Sequence, residues 1–469
     1  MKYKIYLVGA GPGAADLITV RGLAILRQAD VVIYDYLVDK RILDFAKEGT
    51  ELICCDRLGK NRFSDGFLIH NEKINQLVIK KVKEGKKVIR LKNGDVSIFS
   101  RWSQELEALA KEKIDFEVVP GVTAASAAAC LSGIPLTDRN LASSVVMVTG
   151  HEDPSKKEGS LDWVKLAGSG TIVLYMAVEN LANIVKWLRE AGKSLATPVA
   201  IIEDASLLTQ KILVGSLKDI VAKARANKVK PPAIIIIGGV VKLEKKFNWL
   251  KKTKKILFAG ISSERFFAKG MFFHLPLIKI VPLKDYSDFE RKLKNISSYD
   301  WLVFPSRYGV KYFFERLNKI GLDARAFSQA KIAAIGDSTR NRLLDFGVIA
   351  DLVPKEESSL GLLKEFERLD ITDKRIFLPR SDIADKGLTE GLRTQGAQVR
   401  AAIAYRNVMP DNLPDLDLGI FNEIMFTSPS GVHNFAKRYG HPPRNVKISC
   451  IGEVTLREAK RCGLIVDSV

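Results

Sequence analysis

Two stretches of this 469-residue chain carry residues whose types and spacing could do chemistry. The first is GAGPG at 9–13, which follows the apolar run IYLVGA (5–10) and precedes a segment of helical apolar spacing at 16–29. Glycines at such a turn let backbone N–H and C=O groups approach a ligand closely. With Asp30 or Asp35 about 20 residues on, the unit could hold a dinucleotide ribose. Ala14 stands where GxGxxG needs its last glycine, and Pro12 stiffens the turn, so another adenosine-type cofactor or a plain tight turn fits as well. The second stretch is a repeated arrangement: Ser306-x-x-Gly309-Val310 and Ser428-x-x-Gly431-Val432 each follow a strand-like run and open a helix. That places hydroxyls and backbone N–H groups at the carboxyl ends of strands, where open α/β folds bind ligands.

The elements that must position these residues alternate between short apolar runs and helix-length amphipathic segments. Strands are expected at 5–10, 31–37, 86–95, 116–122, 145–151, 171–177, 198–204 and 233–241, with a small-residue helix at 125–133. KFNWLKKTKK lacks core periodicity, and a fresh strand follows at 256–260. Further strands are expected at 299–306, 331–336, 374–381, 401–408, 423–428 and 446–451. The fold class is therefore α/β. Segments 300–345 and 423–463 echo each other, which predicts two similar subdomains in the second half.

Composition narrows the function classes. Hydrophobic residues at 46% and charged residues at 27% exclude disorder and coiled coil. No apolar stretch is long enough to span a membrane, and the N-terminus reads as a strand rather than a secretory signal. The formal charge of +19 fits either nucleic acid or a polyanionic small substrate. It is spread over both halves, which favours the second. The Lys80–Lys87 cluster reads as a solvated helix face, and Lys251–Lys255 as a linker. Cys54, Cys55, Cys130, Cys450 and Cys462 lack zinc-type spacing, so they read as reduced, small apolar fillers in a cytoplasmic protein with no metal.

Segments 6–38, RLKNGD (90–95), VVPGVTAASAAACLSGIPLTDR (118–139), VTGHED (148–153) and LYMAVENL (174–181) closely resemble uroporphyrinogen-III C-methyltransferase, collinearly over about 3–249. The resemblance implies the tetrapyrrole methylase fold, two α/β subdomains with S-adenosyl-L-methionine in the cleft between them, and a homodimer. It implies Pro12, Asn93, Gly94, Asp95, Ile98, Thr123, Ala124, Met176 and Ala205 as cofactor-binding residues. It also implies Asp35 as proton acceptor and Lys60 as donor. Asn93-Gly94-Asp95-Val96 stands where the family carries Gly-Gly-Asp-Pro, and Ala205-Ser206 where it carries Gly-Thr.

Residues from about 254 resemble uroporphyrinogen-III synthase in YDWLVFPSRYGVKYFFERL (299–317), KIAAIGDSTRNRLLDFGVIADLVP (331–354), RIFLPRSDIA (375–384), AYRNV (404–408) and FTSPSGVHNFAK (426–437). That family has two α/β subdomains joined by a two-stranded ladder, here 278–284 and 402–409, so one subdomain is built from both ends of this half. Candidate substrate-binding residues are Ser306, Arg307, Arg380, Thr427, Ser428 and Thr455, with Tyr405 as a catalytic candidate.

The expected organisation is a methyltransferase domain at 1–249, a linker at 250–255 and a synthase-like domain at 256–469. The expected protein is cytoplasmic and bifunctional, acting on hydroxymethylbilane and uroporphyrinogen III, with no nucleic acid or membrane partner. The product, precorrin-2, leads to sirohaem or cobalamin. Alternatives are a methyltransferase with a non-catalytic second half, or a dinucleotide-binding oxidoreductase.

Overall fold

The computed structural model describes residues 4–55, 66–150, 161–261, 271–411 and 413–468. The chain divides into two units, Met1–Thr253 and Lys254–Val469.

The first unit holds two sheets. One comprises β1 (Lys4–Gly9), β2 (Val31–Tyr34), β3 (Glu51–Cys54), β4 (Val88–Lys92) and β5 (Asp115–Val119) in the order β3-β2-β4-β1-β5. All its pairings are parallel. Ile74, Val78, Val82 and Leu109 cover one face, and Leu26, Ile42 and Leu43 the other. Strands buried on both faces read as apolar runs, as β1 and β2 do.

The second sheet comprises β6 (Val145–Thr149), β7 (Thr171–Tyr175), β8 (Pro198–Glu203), β9 (Lys211–Ser216) and β10 (Ala233–Gly238) in the order β6-β7-β10-β8-β9. Only β6–β7 is parallel; the other pairs are antiparallel. Helix Ala124–Ser132 lies against this sheet through Ala125, Ala128 and Ala129, which meet Val173, Ile202 and Ile236. Gly133 ends that helix at φ +67°, and a Cβ there would lie 2.3 Å from the Phe247 carbonyl. Close by, Trp249 Nε1 donates to the Cys130 carbonyl at 2.9 Å, and Lys251 pairs with buried Glu244 at 2.7 Å. The basic stretch thus begins as a bound segment.

The second unit also holds two sheets. β11 (Lys255–Phe258), β12 (Met271–His274), β18 (Glu423–Phe426) and β19 (Lys447–Cys450) form a parallel sheet ordered β12-β11-β18-β19. It is therefore built from both ends of the half. β13 (Lys279–Val281), β14 (Trp301–Phe304), β15 (Lys331–Ala334), β16 (Arg375–Ser381) and β17 (Gln398–Val408) form the other, ordered β13-β17-β16-β14-β15. β13 pairs antiparallel with β17, Lys279 opposite Val408, and this is the expected two-stranded ladder.

The echo between 300–345 and 423–463 is structural. Ser306 and Ser428 cap the helices after β14 and β18, accepting from Gly309 N at 2.9 Å and Gly431 N at 3.3 Å. Among the described residues, no helix is long and apolar enough to cross a membrane.

Candidate functional site

Three strand ends of the first sheet converge through glycine. A Cβ on Gly9 would lie 2.6 Å from Gly121 N, and one on Gly121 would lie 2.2 Å from the Gly94 carbonyl. The turn GAGPG is tied to the loop after β4: Gly11 N donates to Gly94 O at 3.1 Å, and Gly94 N to Gly11 O at 2.7 Å. Only residues without a side chain allow these backbones to cross, which leaves bare peptide groups just past the carboxyl ends of β1, β4 and β5.

Asp95 fastens the same crossing, accepting from Gly121 N and Ser97 N at 2.8 Å each. Burial pushes its carboxyl up, but the hydrogen bonds from Ser97 and Gly121 outweigh that and hold it below the usual range. Asn93 stands one residue from Gly94; its Oδ1 is buried and has no hydrogen-bond partner.

Asp35 follows β2 on the same sheet edge. Its Oδ1 meets Arg90 Nη2 at 2.5 Å, and its Oδ2 accepts from Asn93 N at 3.3 Å. Arg90 is 4% exposed. Glu105 completes the cluster, with Lys92 Nζ at 2.7 Å and Arg90 Nε at 3.2 Å from its Oε1. Burial raises the Asp35 carboxyl, yet the charges of Arg90 and Lys92 outweigh it, and the group sits below its ordinary value. Asp35 is thus an ionised acceptor at neutral pH.

The second sheet contributes through Tyr175, which is not among the residues expected from sequence, and through Ser206, which the sequence marks only as a departure from the family's Gly-Thr. Tyr175, at the end of β7, bonds Thr123 Oγ1 at 2.6 Å and accepts from Ala125 N at 3.2 Å. Its ring lies 4.9 Å from that of Phe99. Ser206 Oγ accepts from Ala14 N at 2.9 Å, joining the glycine turn to the loop after β8. Ala205 and Ala124 pack in the same apolar cluster. Phe99, Met176, Asp204 and Ser206 all hold positive φ, and Met176 is 56% exposed. Strained, non-glycine backbone of this kind gathers at ligand sites. Pro12 and Ile98 are half-buried in the linked loops; Lys60 lies outside the described residues.

In the second unit, the structure joins Ser306 and Tyr405. Tyr405 is 6% exposed, its hydroxyl lies 2.8 Å from Ser306 Oγ, and its ring stacks on Tyr312. Burial pushes the Tyr405 hydroxyl up, so it stays protonated at neutral pH. Arg307 lies over the Tyr308 ring. Arg380 instead lines a cavity of about 290 Å³ with Lys386, Arg393 and Ile403. On the other sheet, Thr427 and Ser428 end β18 beside Gly260, whose carbonyl faces His274 Nε2 at 2.7 Å. Thr455 is buried in the first turn of helix Glu453–Arg461. The candidates of this unit therefore form three local groups, Ser306–Arg307–Tyr405, the Arg380 cavity and Thr427–Ser428, with Thr455 buried apart in its own helix.

In the Lys80–Lys87 cluster Lys80, Lys83 and Lys86 are exposed, as a solvated face requires, and two of the lysines are also paired: Lys81 meets Glu51 at 2.7 Å and Lys83 meets Glu112 at 2.5 Å. Reading the cysteines as apolar fillers holds for buried Cys55 and Cys450 but not for Cys130, which is exposed.

Residues 4–221 match the family described as tetrapyrrole (corrin/porphyrin) methylases, and residues 269–469 match uroporphyrinogen-III synthase HemD. Over 98% of its length the chain is 35% identical to the porphyrin biosynthesis protein HemD of Ruminiclostridium josui, covering 94% of that protein. Over 51% of its length it is 45% identical to the uroporphyrinogen-III C-methyltransferase of Methanocaldococcus jannaschii, covering 98% of it. A further 51% match, at 42% identity and covering 92% of the relative, is to the S-adenosyl-L-methionine-dependent uroporphyrinogen III methyltransferase of Methanosarcina barkeri.

Proposed function

We propose that the chain, which belongs to the family of tetrapyrrole methylases fused to uroporphyrinogen-III synthases, performs two consecutive reactions. The second unit closes hydroxymethylbilane to uroporphyrinogen III with D-ring inversion. The first unit methylates that product at C2 and C7 to precorrin-2, for sirohaem or cobalamin. We propose one activity for each domain, with the boundary between residues 249 and 256. We propose a homodimer in the cytoplasm, without nucleic acid or membrane partners.

The observation that carries the methyltransferase assignment is the Gly9–Gly94–Gly121 crossing with the unpartnered Asn93 Oδ1 beside it. A buried acceptor left open at a bare backbone cradle fits a polar ligand with an adenosine and an amino-acid end. S-adenosyl-L-methionine, when bound, supplies an electrophilic methyl group. The chain's own residues supply alignment. Pro12, Asn93, Gly94, Asp95, Ile98, Thr123, Ala124, Met176 and Ala205 are proposed to hold the ligand. Such positioning accounts for about 7–11 kcal/mol of a barrier in well-oriented reactions. Asp35, kept ionised by Arg90, is proposed as the proton acceptor and Lys60 as the donor; the Arg90 ion pair supports an ionised Asp35.

In the second unit the task is to fold a flexible polyanion. Ser306, Arg307, Arg380, Thr427, Ser428 and Thr455 are proposed to contact its carboxylates, and the Tyr405 hydroxyl to assist the leaving group. Incubating the purified chain with uroporphyrinogen III and S-adenosyl-L-methionine tests the first assignment. A doubly methylated product with the precorrin-2 spectrum is expected. Ligand binding without methyl transfer would overturn it.

A further inference from the structure

Helices Pro429–Tyr439 and Glu453–Arg461 of the second unit pack together, and their contact brings three metal-ligating side chains to one place. His433 comes from the first helix. Glu458 and Cys462 come from the second, four residues apart and so on one face. Glu458 Oε1 is their common vertex: His433 Nδ1 lies 3.8 Å from it and Cys462 Sγ 3.7 Å. All three donor atoms lie within 4.8 Å of one another.

Tetrahedral zinc, with bonds of about 2.0–2.3 Å, needs donor atoms roughly 3.3–3.7 Å apart. Two edges of the triangle are therefore nearly at that length before any ion enters. The donors are an imidazole nitrogen, a carboxylate oxygen and a thiol sulfur. Calcium and magnesium take oxygen ligands, whereas this mixed set suits zinc. The side chain of Glu458 is 16% exposed and that of His433 58%, so the site opens to solvent on one side. Arg461 spans the Glu458 carboxylate, Nε to Oε2 at 3.0 Å and Nη2 to Oε1 at 3.1 Å. It orients the carboxylate as outer partners of metal ligands do.

We propose that His433, Glu458 and Cys462 form a zinc site with a fourth position open to water. Binding releases the Cys462 thiol proton to solvent. The ion joins the two helices whose first turns carry Ser428 and Thr455, and none of its three ligands belongs to the residues assigned to either reaction.

The test uses the untagged full-length protein, stripped with a chelator and titrated with cobalt as the probe, then with zinc. One equivalent of cobalt should give a thiolate-to-cobalt charge-transfer band, and one equivalent of zinc should abolish it. Cys462→Ser should remove the band. His433→Ala, at an exposed position that folding does not need, should weaken metal binding roughly 10–100-fold. Absence of the band in the parent protein, its survival in Cys462→Ser, or equal affinity in His433→Ala overturns the proposal.

Discussion

Arg90 Nη2 lies 2.5 Å from Asp35 Oδ1, joining β4 to the end of its neighbour β2 in the first sheet. A guanidinium with almost no exposure thus holds the one carboxylate proposed to move a proton. The same guanidinium reaches Glu105, so a single residue compensates two acids.

Arg90→Met should therefore leave Asp35 and Glu105 with less compensation, costing about 3–5 kcal/mol in the first unit. Denaturant unfolding followed by a probe in that unit checks this. The pH dependence has a definite sign. Asp35 is depressed in the folded state, so its contribution is present above the unfolded carboxylate pKa of about 3.9 and fades as pH falls through the lower folded value. Arg90→Met should flatten that acid limb; a stability curve parallel to the parent's would contradict the ion pair's role.

Asp35→Asn keeps the shape and removes the charge. Methyl transfer should fall by about 10²–10⁴-fold, as for loss of a general base. Affinity for S-adenosylhomocysteine, measured by calorimetry, should change less than twofold. Unchanged turnover would remove Asp35 from the reaction.

Gly9→Ala places a Cβ against the Gly121 backbone and should cost about 1–3 kcal/mol while abolishing S-adenosylhomocysteine binding. Gly49→Ala is the control, since its Cβ meets nothing within 4 Å although φ is +82°. It should carry backbone strain of about 1–2 kcal/mol and bind the ligand normally. Equal binding by both variants would show that the glycine crossing is not the ligand cradle.

Tyr405→Phe removes the hydroxyl that meets Ser306 but leaves the Ser306 cap on Gly309. Stability of the second unit should fall by about 0.5–1.5 kcal/mol. Formation of isomer III should fall more than the stability loss accounts for, read by separating isomers I and III. An isomer ratio like the parent's would make Tyr405 a packing residue.

The sequence shows the strands that are buried on both faces, because burial on both sides turns them into apolar runs, whether the pairing is parallel as for VVIY or antiparallel as for AIIII. It hides β3, β9 and β12, short strands at sheet edges; β3 and β9 show no buried run. The glycine turn is legible because the backbone needs it, whereas the residues named beside it, Pro12, Asn93 and Asp95, come from the family resemblance. Tyr175 carries no signal, because a strand-end tyrosine reads as ordinary until the two sheets meet, and Ser206 stands out only as a departure from the family's Gly-Thr. Arg90 and Lys92 did leave a signal, two cations within the strand VIRLK, where a central strand should be apolar. Glu458 and Cys462 share a helix face in sequence, but only helix packing brings His433 to them.

The central claim is that one chain carries both reactions. Its most direct test supplies the purified full-length protein with hydroxymethylbilane and S-adenosyl-L-methionine, and no uroporphyrinogen III. Precorrin-2 of the type III isomer series is the expected product. Accumulation of uroporphyrinogen I or its methylated derivatives, with no type III product, would contradict it.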